Sequence, residues 1–236
     1  MNLISEYEQR TMWKKEPISG HFQTAPDLER KVTPGGHYLP FMGSTVVFKA
    51  DEYGCEIVNR IQDSLFALLS DTCILADPLP RSTTHMTLHD LLSPEQFSGS
   101  PEEYDQKVED SLSRAVETAE KICHEFPGAE IHFTADRIVN MVSKSLVLLL
   151  RPGSEEDFRL LQECHRRFDY IVKLPYQITP HITLAYFRPG FLDGDRLGSA
   201  VDAVQIRQES AAAFAFPLVD LSVQRFLDMQ TYLDCS

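Results

Sequence analysis

The sequence predicts an α+β fold in which helices are set against largely antiparallel sheets. Short runs of alternating or β-branched apolar residues mark strands, and longer segments with apolar residues at helical spacing mark helices between them. The order is strand, helix, strand, strand, helix, strands, helix, strand, helix, strands, which departs from the strict alternation of a parallel doubly wound sheet. A strand-and-helix theme occurs twice in that order, and each copy includes one strand that holds His-x-Thr.

Residues 1–43 carry scattered Pro and Gly, including Pro34-Gly35-Gly36 and Pro40, without sustained periodicity. They are expected to form an irregular arm with one short helix near its start, leaving 44–236 as a single domain. Ser44 to Ala50 is rich in β-branched residues and reads as a strand, followed by an amphipathic helix marked by Ile57, Val58, Ile61, Leu65 and Leu68. A short strand around Thr72 to Leu75, a turn at Pro78 and Pro80, and an extended segment from Thr83 to Leu91 come next. Ser100-Pro101-Glu102-Glu103 is a capping-box start with Pro at the first helical position, and it opens a long helix whose buried stripe runs from Tyr104 to Phe126.

In the second half, Glu130 to Thr134 and Ser145 to Leu150 read as strands, although Leu146 to Leu150 fits a buried helix equally well by periodicity alone. A helix capped by Ser154 carries Phe158, Leu161, Cys164 and Phe168. Ile178 to Phe187 is a further strand. A helix around Asp195 to Gln208 and strands near Pro217 to Val223 and Phe226 to Tyr232 complete the pattern.

Composition narrows the function. An apolar fraction of 43% with 24% charged residues is that of a globular chain able to bury a core. The five cysteines are scattered, odd in number and free of any C-x-x-C pair, so reduced structural thiols are expected. No secretory signal pattern opens the chain and no run approaches the roughly 20 apolar residues of a membrane helix, so a cytoplasmic monomer with no membrane contact is expected. A net charge of −13 repels long nucleic acid, while a small phosphorylated ligand or a short oligonucleotide end can still be held by a local cluster of donors.

The segments His85-Met86-Thr87-Leu88 and His181-Ile182-Thr183-Leu184 stand out. Side chains alternate along a strand, so His85 shares a face with Thr87, and His181 with Thr183, while each apolar pair anchors the strand from the other face. Two imidazoles that titrate near neutrality can divide the roles of general base and general acid, and the two hydroxyls can bind non-bridging phosphate oxygens as charge gathers in the transition state. This scheme calls for no metal and no cofactor.

Paired H-x-T-hydrophobic motifs resemble the signature of the 2H, or two-histidine, phosphoesterases. The resemblance covers the chain from roughly Ser44 onward. It implies a bilobal fold of two pseudo-symmetric lobes, mainly antiparallel sheet with flanking helices, around a central cleft to which each lobe contributes one motif strand. It further implies a metal-independent phosphodiesterase acting on a cyclic phosphate or phosphodiester of a nucleotide or short oligonucleotide, such as an RNA end. The stretch from Gly36 to Phe48, with Thr84-His85-Met86-Thr87, looks most like a poorly characterised group within that superfamily.

Other residues are expected in supporting places. Tyr38 and Tyr186 can stack on a base, and Arg188 can attract a phosphate. His89 shares the His85 face if the strand stays regular, and is expected as the exposed end of that strand. His21, His37, His124, His132 and His165 show no spacing that draws them into a metal set, and neither a P-loop nor a G-x-S-x-G elbow occurs. Two rival readings are a cleft that binds a cyclic nucleotide without turning it over, and a metal-dependent hydrolase using His85, His89 and Asp90.

Overall fold

The computed structural model describes residues 3–12, 17–206 and 212–235. In chain order the elements are α1 (Leu3–Arg10), β1 (His21–Gln23), β2 (Gly43–Lys49), α2 (Glu52–Leu68), β3 (His85–Leu92), α3 (Pro101–Glu125), β4 (Glu130–Met141), β5 (Ser145–Pro152), α4 (Glu155–Asp169), β6 (His181–Tyr186), β7 (Phe191–Asp193), α5 (Gly194–Ile206), β8 (Ala213–Pro217), β9 (Leu221–Phe226) and β10 (Tyr232–Cys235).

Eight strands form one curled antiparallel sheet in the order β10-β9-β2-β3-β6-β5-β4-β8, and β1 pairs with β7 apart from it. The two strands expected to carry the motifs are neighbours at the centre, with Met86 opposite Ile182. Outward from that pair the sheet divides into two halves of four strands, β3-β2-β9-β10 and β6-β5-β4-β8. The α+β class and the two-lobed arrangement around the motif strands are therefore as expected. Helix α3 packs on β2, β3 and β9, α4 on β3, β4 and β5, and α2 on β6, so one face of the sheet is covered by helices.

Local chemistry explains the helices. Ser100 accepts from Glu103 N–H while the Glu103 side chain accepts from Ser100 N–H, closing the capping box ahead of α3. Asp51 caps α2 by accepting from Gly54 N–H at 2.7 Å, and Ser154 caps α4 from Asp157 N–H. Met86, Leu88, Ile182 and Leu184 are at most 1% exposed. Each such burial is worth roughly 1.5–3 kcal/mol, several times thermal energy, so the helix-covered face anchors the motif strands firmly.

Leu146 to Leu150 lies in β5, the strand reading expected for it; this interior strand is buried on both faces, which is why its sequence lacks alternation. Several boundaries differ from expectation. Strand β4 runs on to Met141 because an irregularity between Ala135 and Ile138 breaks its pattern without ending its pairing to β5. The strand expected at Thr72 to Leu75 is only an isolated bridge, Leu75 to Phe187. The strand expected at Pro217 to Val223 begins instead at Leu221, after a 3-10 turn over Leu218–Asp220. Helix α5 matches the one expected from Asp195, whose residues 207 and 208 lie outside the described set.

The arm before β2 spans both halves of the sheet. Thr24 N–H bonds to Gly190 and Ala25 N–H to Ser143 on one side, Asp77 N–H bonds back to Gly36, and Phe41 N–H bonds to Leu227 on the other side. Leu28 and Val32 are fully buried beneath it. Among the described residues no helix is long and apolar enough to cross a membrane.

Candidate active site

The register brings the motif residues together. With Met86 opposite Ile182 in an antiparallel pair, His85 falls across from Thr183 and Thr87 across from His181, all four on the face away from the helices. All four are half-buried, whereas Met86 and Ile182 between them are fully buried. The imidazoles and hydroxyls thus alternate around a small square on two adjacent strands.

Each ring is fixed in the same way. His85 Nδ1 lies 2.7 Å from Thr83 O and His181 Nδ1 lies 2.7 Å from Thr179 O. A carbonyl can only accept, so both rings carry a proton on Nδ1, and Nε2 is the atom of each that can take up or give up a second one. Burial pulls the His85 pKa down to about 4, the Thr83 carbonyl opposing and the neighbouring His181 adding to the fall. His85 is therefore neutral at physiological pH. Among the described residues the hydroxyls of Thr87 and Thr183 make no protein hydrogen bond, which leaves both available to a ligand.

A bulge ends each motif. Val47 pairs with Thr87 but Val46 with His89, so Leu88 is the extra residue of β3; Val147 pairs with Thr183 but Leu146 with Ala185, so Leu184 is the extra residue of β6. An extra residue shifts the alternation by one place. The carbonyls disturbed there are satisfied by side chains: Gln62 Nε2 donates to Leu184 O at 2.9 Å, and Thr45 Oγ1 to His89 O at 3.2 Å.

The bulge corrects one expectation. His89 does not share the His85 face and is not exposed: it is 1% exposed and turned toward α4, where its Nε2 meets Asp169 Oδ1 at 3.1 Å. Asp90 takes the cleft face instead, as Tyr186 does at the matching place in β6. The Tyr176 hydroxyl donates to Asp90 Oδ2 at 2.6 Å.

Aromatic rings wall the site. Tyr232 of β10 packs edge-on against His85 with centroids 4.9 Å apart, and Tyr38 of the arm meets Tyr186 edge-on at 5.9 Å. Burial, followed by the charge of Asp90, pushes the Tyr186 phenol up; burial does the same to Tyr232, so both stay protonated donors. Tyr38 spends its own hydroxyl on Asp77 O. Arg188 is anchored through one of its donors: its Nε donates to Leu75 O at 2.8 Å, and a Cβ on Gly36, which sits at φ +94, would lie 2.7 Å from that Nε. It fastens the arm's turn beside the site.

The two halves flank the histidines with different chemistry. Opposite His85 stands Lys49, and beyond it a polar group in which Asp234 accepts from Lys49, Ser222 and Gln224 at 2.6 to 2.9 Å. Opposite His181 stands Leu149, part of a buried apolar cluster with Val139 and Val147. An open groove of about 1040 Å³ lies between α3 and the β8–β9 region and is lined by Glu120, Cys123, His124, Glu130 and Asp220 among others, with Lys49 and Ser222 at its border. It contains none of the four motif residues.

The four motif residues lie together at the paired strands, and Tyr38 and Tyr186, also expected from the sequence, meet edge-on beside them. Sequence reasoning missed Tyr232, which lies in the last strand with no local pattern to flag it, and gave Asp90 only a metal-binding part. One signal was available for Asp90: aligning the two motifs places it at the same offset from His85 as Tyr186 from His181.

No family model matches the chain, and no curated protein matches it by sequence. Solved structures do match. A conserved protein of unknown function from Agrobacterium tumefaciens superposes with a TM-score of 0.64 at 16% identity, covering 92% of this chain and 95% of its own. A Thermus thermophilus protein matches at TM-score 0.49 and 12% identity, covering 82% and 95%. LigT of E. coli, solved in complex with 3′-AMP, matches at TM-score 0.45 and 11% identity, covering 83% and 96%. The chain shares the overall fold of the Agrobacterium protein over nearly all of both lengths: an α+β fold of two antiparallel half-sheets joined through the paired His-x-Thr strands.

Proposed function

We propose that the protein is a metal-independent phosphodiesterase that opens a cyclic phosphate, or cleaves a phosphodiester beside a neighbouring hydroxyl, on a nucleotide or short oligonucleotide. The observation that carries this is the square of His85, Thr183, His181 and Thr87 on one sheet face, with each ring donating its Nδ1–H to a backbone carbonyl. A phosphate over that square receives the two threonine hydroxyls on its non-bridging oxygens. His85, kept neutral by burial, takes the proton from the attacking water or hydroxyl through Nε2, and His181, acting as the imidazolium with its Nδ1–H held by Thr179 O, gives its Nε2 proton to the leaving oxygen from the opposite side. Tyr186 and Tyr232 add donors or a stacking edge for the sugar and base, and the polar and apolar flanks orient an asymmetric ligand between them. Such a ligand is small, because the net charge of −13 opposes a long polyanion.

The test is turnover of 2′,3′-cyclic nucleotides and of short 2′–5′ and 3′–5′ oligonucleotides by purified protein, with and without EDTA. Product formation that persists in chelator supports the proposal. Tight binding without product would favour a non-catalytic nucleotide-binding cleft, and activity lost to EDTA with the fold intact and regained with Zn²⁺ or Mn²⁺ would favour a metal-dependent hydrolase.

A further inference from the structure

A second cluster of chemistry-bearing residues lies behind the first motif strand, on the face covered by helices. His89 is turned there by the bulge at Leu88, with a side chain 0% exposed. His165 and Asp169 stand one turn apart on the same side of α4. The rings of His89 and His165 have centroids 4.8 Å apart, and one nitrogen of each ring and one carboxylate oxygen of Asp169 lie within 4.8 Å of one another.

This trio is short of a partner. His89 Nδ1 is buried with no hydrogen bond, and His165, only 7% exposed, makes none among the described residues. Buried histidine nitrogens are ordinarily paired with protein or water; here His89 Nε2 meets Asp169 while its Nδ1 has no partner, and that half-satisfied ring beside a second imidazole and a carboxylate needs an explanation. A positive ion supplies one, because it accepts lone pairs from both rings and balances the carboxylate.

We propose that His89, His165 and Asp169 bind a divalent transition-metal ion of the zinc class, which pins α4 to the back of the strand carrying His85. Two imidazoles and a carboxylate suit Zn²⁺, whose bonds of about 2.0–2.2 Å place tetrahedral ligand atoms roughly 3.3–3.5 Å apart. The trio has to contract by up to about 1.5 Å at its widest separation, which side-chain rotation supplies. Lys173 Nζ, 2.6 Å from the Asp169 Oδ2, is the competing cation; its side chain is 78% exposed and can turn into solvent when the metal arrives. The site lies on the opposite face of the sheet from the motif square, so its part is structural. No spacing rule could have found it, because one ligand comes from a strand and two from a helix far along the chain.

The full-length protein, stripped with EDTA and then freed of chelator, is titrated with zinc sulfate against a chromophoric zinc chelator, and its melting temperature is recorded with and without zinc. The expected result is one Zn²⁺ per chain at micromolar or tighter affinity, with a raised melting temperature. His165→Ala, which keeps helix propensity, and Asp169→Asn, which keeps the shape and a carbonyl facing His89, should each weaken binding by more than the roughly 100-fold that loss of an outer-shell partner costs. His85→Ala and His181→Ala should bind zinc as the unaltered protein does. Binding no tighter than millimolar, binding unchanged in both His165→Ala and Asp169→Asn, or binding lost in the motif variants would each overturn the proposal. Turnover plays no part in these readouts.

Discussion

The two halves of the sheet share a backbone design and differ in the chemistry they hang on it. Each places His-x-Thr-Leu on its central strand, fixes the imidazole through a 2.7 Å bond to the carbonyl two residues earlier, and inserts a bulge at the leucine. Yet His85 is flanked by Lys49 and the Asp234 network, while His181 is flanked by Leu149 and its apolar cluster. What is duplicated is what both proton-transfer groups need: a rigid strand and an Nδ1–H anchored to a carbonyl. What differs is what a ligand with unlike ends needs from the two sides of a cleft.

Breaking either half of the duplicated device should have the largest effect. His85→Ala and His181→Ala are each expected to lower kcat by about two to four orders of magnitude on a 2′,3′-cyclic nucleotide, with unchanged circular dichroism. Because the two act in one step, the double variant should lose far less than the product of the two single losses. Thr87→Val and Thr183→Val keep the strand shape and remove one donor each, so kcat/KM should fall about 100-fold or more with KM little altered. A rise in KM alone would show that the hydroxyls serve ground-state binding.

The pH profile tests how the halves divide the labour. A base must be neutral, and His85 has its pKa pulled to about 4, so lowering the pH from 7 to 5 leaves it able to accept a proton. The acid limb of kcat/KM for the free enzyme should therefore fall only on approach to pH 4. A limb centred near the ordinary histidine value of about 6.5 would assign the base elsewhere.

Smaller effects follow from the flanks. Lys49→Met removes the cation opposite His85 and should raise KM for a charged ligand about tenfold while sparing kcat, in keeping with the loss of roughly one charge-assisted contact. The smallest effect concerns the β4–β5 turn, where Val142 sits at φ 47, a left-handed conformation costly to a β-branched residue. Val142→Gly should raise stability by about 1 kcal/mol in urea melts with activity kept, since the Val142 side chain is exposed.

These particulars show what the chain discloses by itself. The motif strands were legible because alternation is a two-residue pattern and the same pattern occurs twice. Helix α3 was legible because its cap, its first-turn proline and its apolar stripe agree. The turning of His89 into the core was hidden because a bulge leaves no local mark, and regular alternation assigns that residue to the wrong face. Arg188 beside the second motif suggests phosphate from sequence, yet it spends its Nε on Leu75 O because the arm's turn at Gly36 brings those segments together. Tyr232 reached His85 only through the curl of the sheet, a property of eight strands rather than of any segment.

The most direct test is a crystal of the full chain soaked with inorganic phosphate. The phosphorus should lie between the rings at positions 85 and 181, with Nε2 of each and the hydroxyls of Thr87 and Thr183 within hydrogen-bond reach of its oxygens. Phosphate bound to one ring alone, or bound elsewhere with the motif square left to water, would contradict the account.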